Sequence, residues 1–236
     1  MDFLEFLKMV AEDIVRAAQD ATPLLLQGLQ LTIWVSVCAI IIGIVIGLLT
    51  CLLRLSRFSV LRGLASAYIW VIRGTPMIVQ AFFIHFGLSQ LIKVFVPGFN
   101  FTALESSIIT ASLNAGAYLA EIFRGGISAV PRGQMEAARS LGLGYGKTMR
   151  KVILPQAVKI AIPSMVNQFI ITIKDTSILS VIGLADMTNK TKAYVGATYN
   201  NFGGWFYVGF FYLALISVLM IISKKVEAKF SYDRKN

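Results

Sequence analysis

The chain has 236 residues, of which 56% are hydrophobic and only 14% charged. Soluble domains carry about 25% charged residues, so this composition excludes an ordinary soluble protein and points to the membrane. The formal net charge of +10 raises nucleic acid as a partner. That role needs basic residues gathered in a folded polar domain, and here they are scattered between apolar runs, which excludes it.

Residues 1–20 read as an amphipathic segment. Phe3, Leu7, Val10 and Ile14 follow helical spacing, with Asp2, Glu5, Glu12 and Asp13 elsewhere on the wheel. Its acid-rich charge is unlike a secretory leader. Two placements stay open: along the outer membrane surface, or as an outward extension of the first span. The permease-like body is expected over 21–236.

A bilayer core needs about 20 apolar residues as helix. Residues 22–53 supply a first run without a charge. Within it, Gly43 and Gly47 form a small-xxx-small pair suited to close helix packing. Cys38 and Cys51 lie about 20 Å apart if the run is helical, too far to bridge each other. A second run lies between Arg62 and Lys93, broken by Arg73-Gly74-Thr75-Pro76. A third covers Phe101 to Phe123 and contains Glu105, Asn114 and Glu121. A fourth begins near Ile160 and continues through Lys174-Asp175 to about Ala185. A fifth runs from Trp205 to Ser223. The fold class expected is an all-α membrane protein with five transmembrane helices. An odd count places the termini on opposite sides. Fifteen of the 22 Lys and Arg residues fall in 54–62, 124–159 and 224–235. Basic loops stay cytoplasmic, so the N-terminus is expected outside and the C-terminus in the cytoplasm.

The longest polar interval, 125–158, lies on the basic side. Pro131 and Gly133 interrupt the chain, Gln134 to Leu141 favours helix, and Gly142 stands where a left-handed C-terminal cap belongs. A second short helix is expected from Lys147 to Leu154, ended by Pro155. Gly146-Lys147-Thr148 resembles the tail of a phosphate-binding loop. That loop needs a Gly at position 141, which is Leu, and a preceding strand, so nucleotide binding by this chain is set aside. Mere connectors need only a few residues, so an interval this long calls for another role.

Glu136-Ala137-Ala138, three residues, Gly142, nine residues, then Val152-Ile153-Leu154-Pro155 resembles the EAA loop of ABC importer permeases. The family pattern ends in I-x-L-P, and Val152 for Ile is a conservative departure. Arg73-Gly74-Thr75-Pro76 with Gln80, Tyr118 to Gly126, and Lys174-Asp175-Thr176-Ser177 resemble the branch that takes up polar amino acids. The match covers nearly the whole chain. It implies a type I importer permease fold working as a dimer with itself or a related permease. The implied partners are two cytoplasmic ATPase subunits, which hold the ATP and Mg, and an extracytoplasmic amino-acid-binding protein. No cofactor and no catalysis are implied for this chain. Localisation is the bacterial cytoplasmic (inner) membrane. The residues implied in coupling to the ATPase are Glu136, Ala137, Ala138, Gly142, Leu154 and Pro155.

Polar groups within spans are costly and are usually paired or functional. The functional reading lines a substrate pathway with Gln80, Asn114, Glu121, Asn167, Lys174 and Asp175. Its alternative makes these groups inter-helix pairs, and Glu121 stands three residues before Arg124, an ion-pair spacing. Lone His85 has no catalytic or metal-ligand partner at sensible spacing and is expected to be a satisfied membrane histidine. The rival function is an ion-coupled carrier or channel without an ATPase. Such carriers often show two matching halves, and no internal repeat is visible here.

Overall fold

The computed structural model describes residues 2–232, and among them there are eight helices and no strand. They are α1 (Phe3–Arg54), α2 (Ser59–Gly74), α3 (Met77–Lys93), α4 (Ala103–Ser128), α5 (Arg132–Ser140), α6 (Tyr145–Ile182), α7 (Met187–Thr198) and α8 (Asn201–Tyr232). By length and composition α1, α6 and α8 are long and apolar enough to cross a membrane, and α2 with α3 makes a fourth candidate as a broken span bent by 106°. The break has a local cause. Thr75 precedes Pro76 and is held extended at φ −119°, ψ 145°, as the proline ring requires of its predecessor. Helix α4 has 26 residues, about 39 Å. It is long enough, but its Ser, Thr, Asn and Glu content keeps it out of the set that hydropathy selects.

The amphipathic N-terminal segment and the first span form a single helix of 52 residues. Pro23 lies inside it without ending it. Helix α4 starts with a reciprocal capping box. Glu105 Oε2 accepts from the Thr102 amide at 2.8 Å, and the Glu105 amide donates to Thr102 Oγ1 at 3.2 Å. Glu105 thus marks the start of the helix, where the sequence alone placed it inside an apolar run.

The chain divides into two compact units. One comprises Met1–Ala39, Pro76–Ala111 and Ile171–Leu219; the other Ile40–Thr75, Ser112–Ile170 and Met220–Asn236. The first unit has a core of Val35, Ala39, Ala81, Ala111, Leu179 and Ile182. Asp186 caps α7, accepting from the Thr188 and Asn189 amides at 3.2 and 2.9 Å, and the Tyr212 hydroxyl donates to it at 3.2 Å. Gly28 lies against this turn, where a Cβ would come 2.7 Å from Met187 Cα. Asn200 donates to the Asp13 carbonyl at 2.7 Å, tying the start of α8 to α1. His85 Nδ1 lies 2.9 Å from Ser106 Oγ, so the lone histidine is satisfied by a neighbouring helix.

In the second unit α1 packs closely on α4. A Cβ on Gly43 would meet Ala115 Cβ at 3.0 Å, and one on Gly47 would meet Leu119 Cβ at 2.9 Å. The small-xxx-small pair is therefore a packing seam, as its spacing predicts. Both cysteines are free thiols. The Tyr68 hydroxyl of α2 donates to the Leu113 carbonyl of α4 at 2.6 Å, anchoring α2 to the seam.

Candidate functional site

Helix α5 and the turn after it form an exposed knob. The chain enters at Pro131, whose fixed φ and missing amide suit a helix start, and leaves at Gly142 with φ +84°. The Leu143 amide reaches the Ala138 carbonyl at 3.2 Å and the Gly142 amide reaches Arg139 at 3.0 Å. These two bonds are a Schellman ending, so the expected left-handed cap is present and glycine is there for its backbone. No atom crowds a Cβ at Gly142; conformation alone selects the residue.

The knob is anchored on one side. Val130, Ile153 and Ala157 are buried together, with Met135 of α5 and Met149 packed against them. Burying a Val or Ile contributes about 1.5–3 kcal/mol, enough to hold so short a helix in place. Ala138 is buried at 6% exposure. Glu136, Ala137, Arg139 and Lys147 face outward. Beside them Leu141 is 84% and Tyr145 60% exposed. Two large apolar side chains thus stand on a charged, solvent-facing surface.

The second short helix does not exist. Residues 125–128 complete α4, and from Tyr145 the chain is already part of α6, which runs unbroken through Pro155 to Ile182. The physical reason is the π turn at Met149–Ile153. A proline ring collides with the carbonyl four residues back in a regular helix. A widened turn just before Pro155 moves that carbonyl aside, and the side chain of Gln156 donates to the Val152 carbonyl at 2.9 Å. Leu154 and Pro155, both exposed, therefore sit on the first turns of a long helix instead of at the end of a short one. Helices α5 and α6 are joined by four residues, Leu141-Gly142-Leu143-Gly144, with Thr148 buried and its hydroxyl 3.4 Å from the Leu143 carbonyl.

The polar residues of the spans divide between the units. In the first, Gln80 is half-buried on α3, and Lys174 and Asp175 stand on α6 where it tightens into a 3₁₀ turn from Thr176 to Ile182. Exposed Lys174 lines an open cavity of about 370 Å³ with Ser177, Gly209, Tyr212, Leu213 and Ile216. In the second unit Asn114 is buried on α4 at 9% exposure. Gln168 is buried on α6, while Asn167 is exposed. Glu121 is held by two arginines. Arg124 Nη2 lies 2.7 Å from its Oε2, and Arg54 of α1 pairs with its Oε1. The Arg124 pair follows the i,i+3 spacing visible in the sequence. Arg54 is 67 residues away in sequence, and no local pattern announces it. Arg73 lies 5.0 Å over the Tyr118 ring. Two further structural residues were open to discovery from their cap spacing, Asp186 just before α7 and Glu105 in the first turn of α4.

Three comparisons bear on this geometry. The family model described as "Binding-protein-dependent transport system inner membrane component" matches residues 24–232. The arginine transport system permease protein ArtQ of Bacillus subtilis (strain 168) is 38% identical over 207 residues, covering 88% of this chain and 92% of that protein. The glutamine transport system permease protein GlnP of Escherichia coli (strain K12) is 37% identical over 209 residues, covering 89% and 94%. A crystal structure of an amino acid ABC transporter with histidines superposes with a TM-score of 0.83 at 36% identity, covering 97% of this chain and 99% of that one. An inward-facing MetNI methionine transporter, at 21% identity and TM-score 0.72, shares the fold.

Proposed function

The chain belongs to the family of inner membrane components of binding-protein-dependent transport systems, and from that premise we infer that it is the permease subunit of an ATP-driven importer for polar amino acids. Its relatives of known name carry arginine and glutamine, and its structural neighbour is an amino acid transporter with histidines. The observation that carries the reading is the knob itself. A docking element must be rigid, exposed and joined stiffly to what it moves. Helix α5 is closed by backbone hydrogen bonds at Gly142, presents Glu136 and Ala137 outward with Leu141 beside them, and passes within four residues into α6.

The working arrangement follows. Five spans, with the broken pair α2–α3 and helix α4 counted beside α1, α6 and α8, put the N-terminus outside and the C-terminus in the cytoplasm. Segment 1–20 extends the first span outward, as the continuous helix supports. Five helices are too few to enclose a pathway, so the permease works as a dimer. A binding protein outside delivers the amino acid. Two ATPase subunits inside hold ATP and Mg and dock on Glu136, Ala137 and Gly142, with Ala138 holding the knob from behind. Leu154 and Pro155 receive the motion at the base of α6. ATP does work only if the ATPases bind it more tightly in one arrangement than in the other. Moving a two-state gate from almost closed to almost open takes about 10⁴-fold differential affinity. Helix α6 follows directly on the knob, so a displacement there acts first on its opening turns.

Within the spans, we assign Lys174 to the substrate carboxylate and Asp175 to its ammonium or cationic side chain, with Gln80 of the same unit as polar lining. Glu121 goes to the arginine clasp, since both of its oxygens are taken.

The test reconstitutes the complex with its binding protein and measures ATP hydrolysis against a panel of amino acids. Stimulation by one or two polar amino acids is expected. A flat response to all of them ends the substrate assignment, and uptake by the isolated chain in vesicles without ATP ends the importer reading in favour of an ATPase-free carrier.

A further inference from the structure

The second unit holds an open cavity of about 410 Å³ whose lining includes Arg54, Ser66, Trp70, Arg73, Glu121 and Arg124. Three guanidinium groups meet one carboxylate there, an excess of two positive charges. Glu121 is saturated. Arg54 takes Oε1, and Arg124 takes Oε2 through both Nε at 3.2 Å and Nη2 at 2.7 Å. Neither pair includes Arg73. Its guanidinium carbon lies 5.0 Å from the centre of the Tyr118 ring, a cation–π contact, and no carboxylate forms an ion pair with it among the described residues.

The setting matches the cluster. Trp70, on the rim, is 78% exposed, and Phe58, Val60 and Leu64 near or on α2 are 57%, 71% and 62% exposed. Helix α2 is amphipathic, with apolar residues outward and Tyr68 turned in to α4. Such a helix with an exposed tryptophan suits the headgroup level of a bilayer. We propose that this cavity binds a phosphate group, with Arg73 as the principal donor and the Arg54–Glu121–Arg124 clasp as its positively charged wall. Planar guanidinium donors match phosphate oxygens, and the Ser66 hydroxyl can add a further hydrogen bond. A phosphodiester of an anionic lipid and free inorganic phosphate share this chemistry. The lipid source rests on the proposed cytoplasmic placement of 54–62, where anionic headgroups gather; phosphate binding as such does not depend on transport.

The experiment uses the intact transporter assembly, delipidated in mild detergent. Phosphatidylglycerol and phosphatidylcholine are titrated separately and adducts counted by native mass spectrometry; radiolabelled inorganic phosphate is tested by equilibrium dialysis. Retention of phosphatidylglycerol over phosphatidylcholine is expected, falling about fivefold in Arg73→Gln and in Ser66→Glu, which supplies Arg73 with a carboxylate. Arg57→Gln, outside the cavity, should bind as the parent does. If inorganic phosphate binds with the same Arg73 dependence and the two lipids do not differ, the site takes free phosphate. If no probe is retained, or if phosphatidylglycerol binding is unchanged in both Arg73→Gln and Ser66→Glu, the proposal is wrong. A flat amino-acid panel in the ATPase assay leaves this result untouched, so the two readings fail separately.

Discussion

Glu121 and Glu136 each stand three residues before an arginine on a helix, and the structure treats them oppositely. Glu121 is bound by Arg124 and also by Arg54 from another helix. Glu136 is exposed, and among the described residues it forms no ion pair with Arg139. An exposed i,i+3 pair is worth a few tenths of a kcal/mol, too little to fix two flexible side chains. A second arginine and partial burial make the difference at Glu121, whose side chain is 20% exposed. One glutamate is paired within its own chain, and the other stands exposed without an ion pair among the described residues.

That contrast can be broken by experiment. The largest effect is expected from Glu136→Lys, which reverses a charge on the docking face. Truncating a charge paired at a buried interface costs about 2–5 kcal/mol. Uptake in reconstituted vesicles should therefore be lost, with the permease dimer still assembled on gel filtration. Gly142→Asp should do the same by straining the Schellman turn. Normal uptake in both variants would remove the coupling role from the knob.

Next comes the packed side. Gly47→Val places atoms where a Cβ already lies 2.9 Å from Leu119 Cβ and 3.1 Å from the Ala120 amide. Overpacking of this kind costs about 1–3 kcal/mol. The melting temperature in detergent should drop, whereas Glu136→Lys should leave it unchanged. A stable Gly47→Val would mean that the α1–α4 seam is looser than the structure shows.

Smaller still is Glu121→Gln. It leaves two arginines facing each other with only a neutral acceptor. Because the arginine side chains are 30% and 41% exposed, solvent screens much of the loss, and about 1 kcal/mol of stability is expected. Arg54→Gln should reproduce most of that change, and a thermal melt of each single variant and of the double variant would show the coupling between them. The smallest effect belongs to Arg139→Ala. It should shift stability by less than about 0.5 kcal/mol, and a larger loss would mean that Arg139 pairs within its own chain after all.

Much of this was legible in the residues. The Gly142 cap, the packing at Gly43 and Gly47, the free cysteines and the partner of Glu121 at i+3 depend on groups within a turn or two of each other, or on the room a missing side chain leaves. Pro155 was misread because a proline ends a helix only when the turn before it keeps regular geometry; the π turn at Met149–Ile153 removes the collision, and no residue type encodes that turn. The capping role of Glu105 was missed for the opposite reason. Its Thr102-x-x-Glu105 box was present in the sequence but overshadowed by the apolar run around it.

By itself, then, the amino-acid order decided the solvent, because hydropathy sums over each segment without reference to its neighbours. It also decided the motif of the knob and where that knob stops, because capping bonds close over five or six residues. Tertiary structure alone decided which polar groups meet across helices. Arg54 meets Glu121, and His85 meets Ser106, only after helices distant in sequence have packed. An ion pair or a hydrogen bond across helices is a property of two surfaces brought together, and neither strand of sequence contains it.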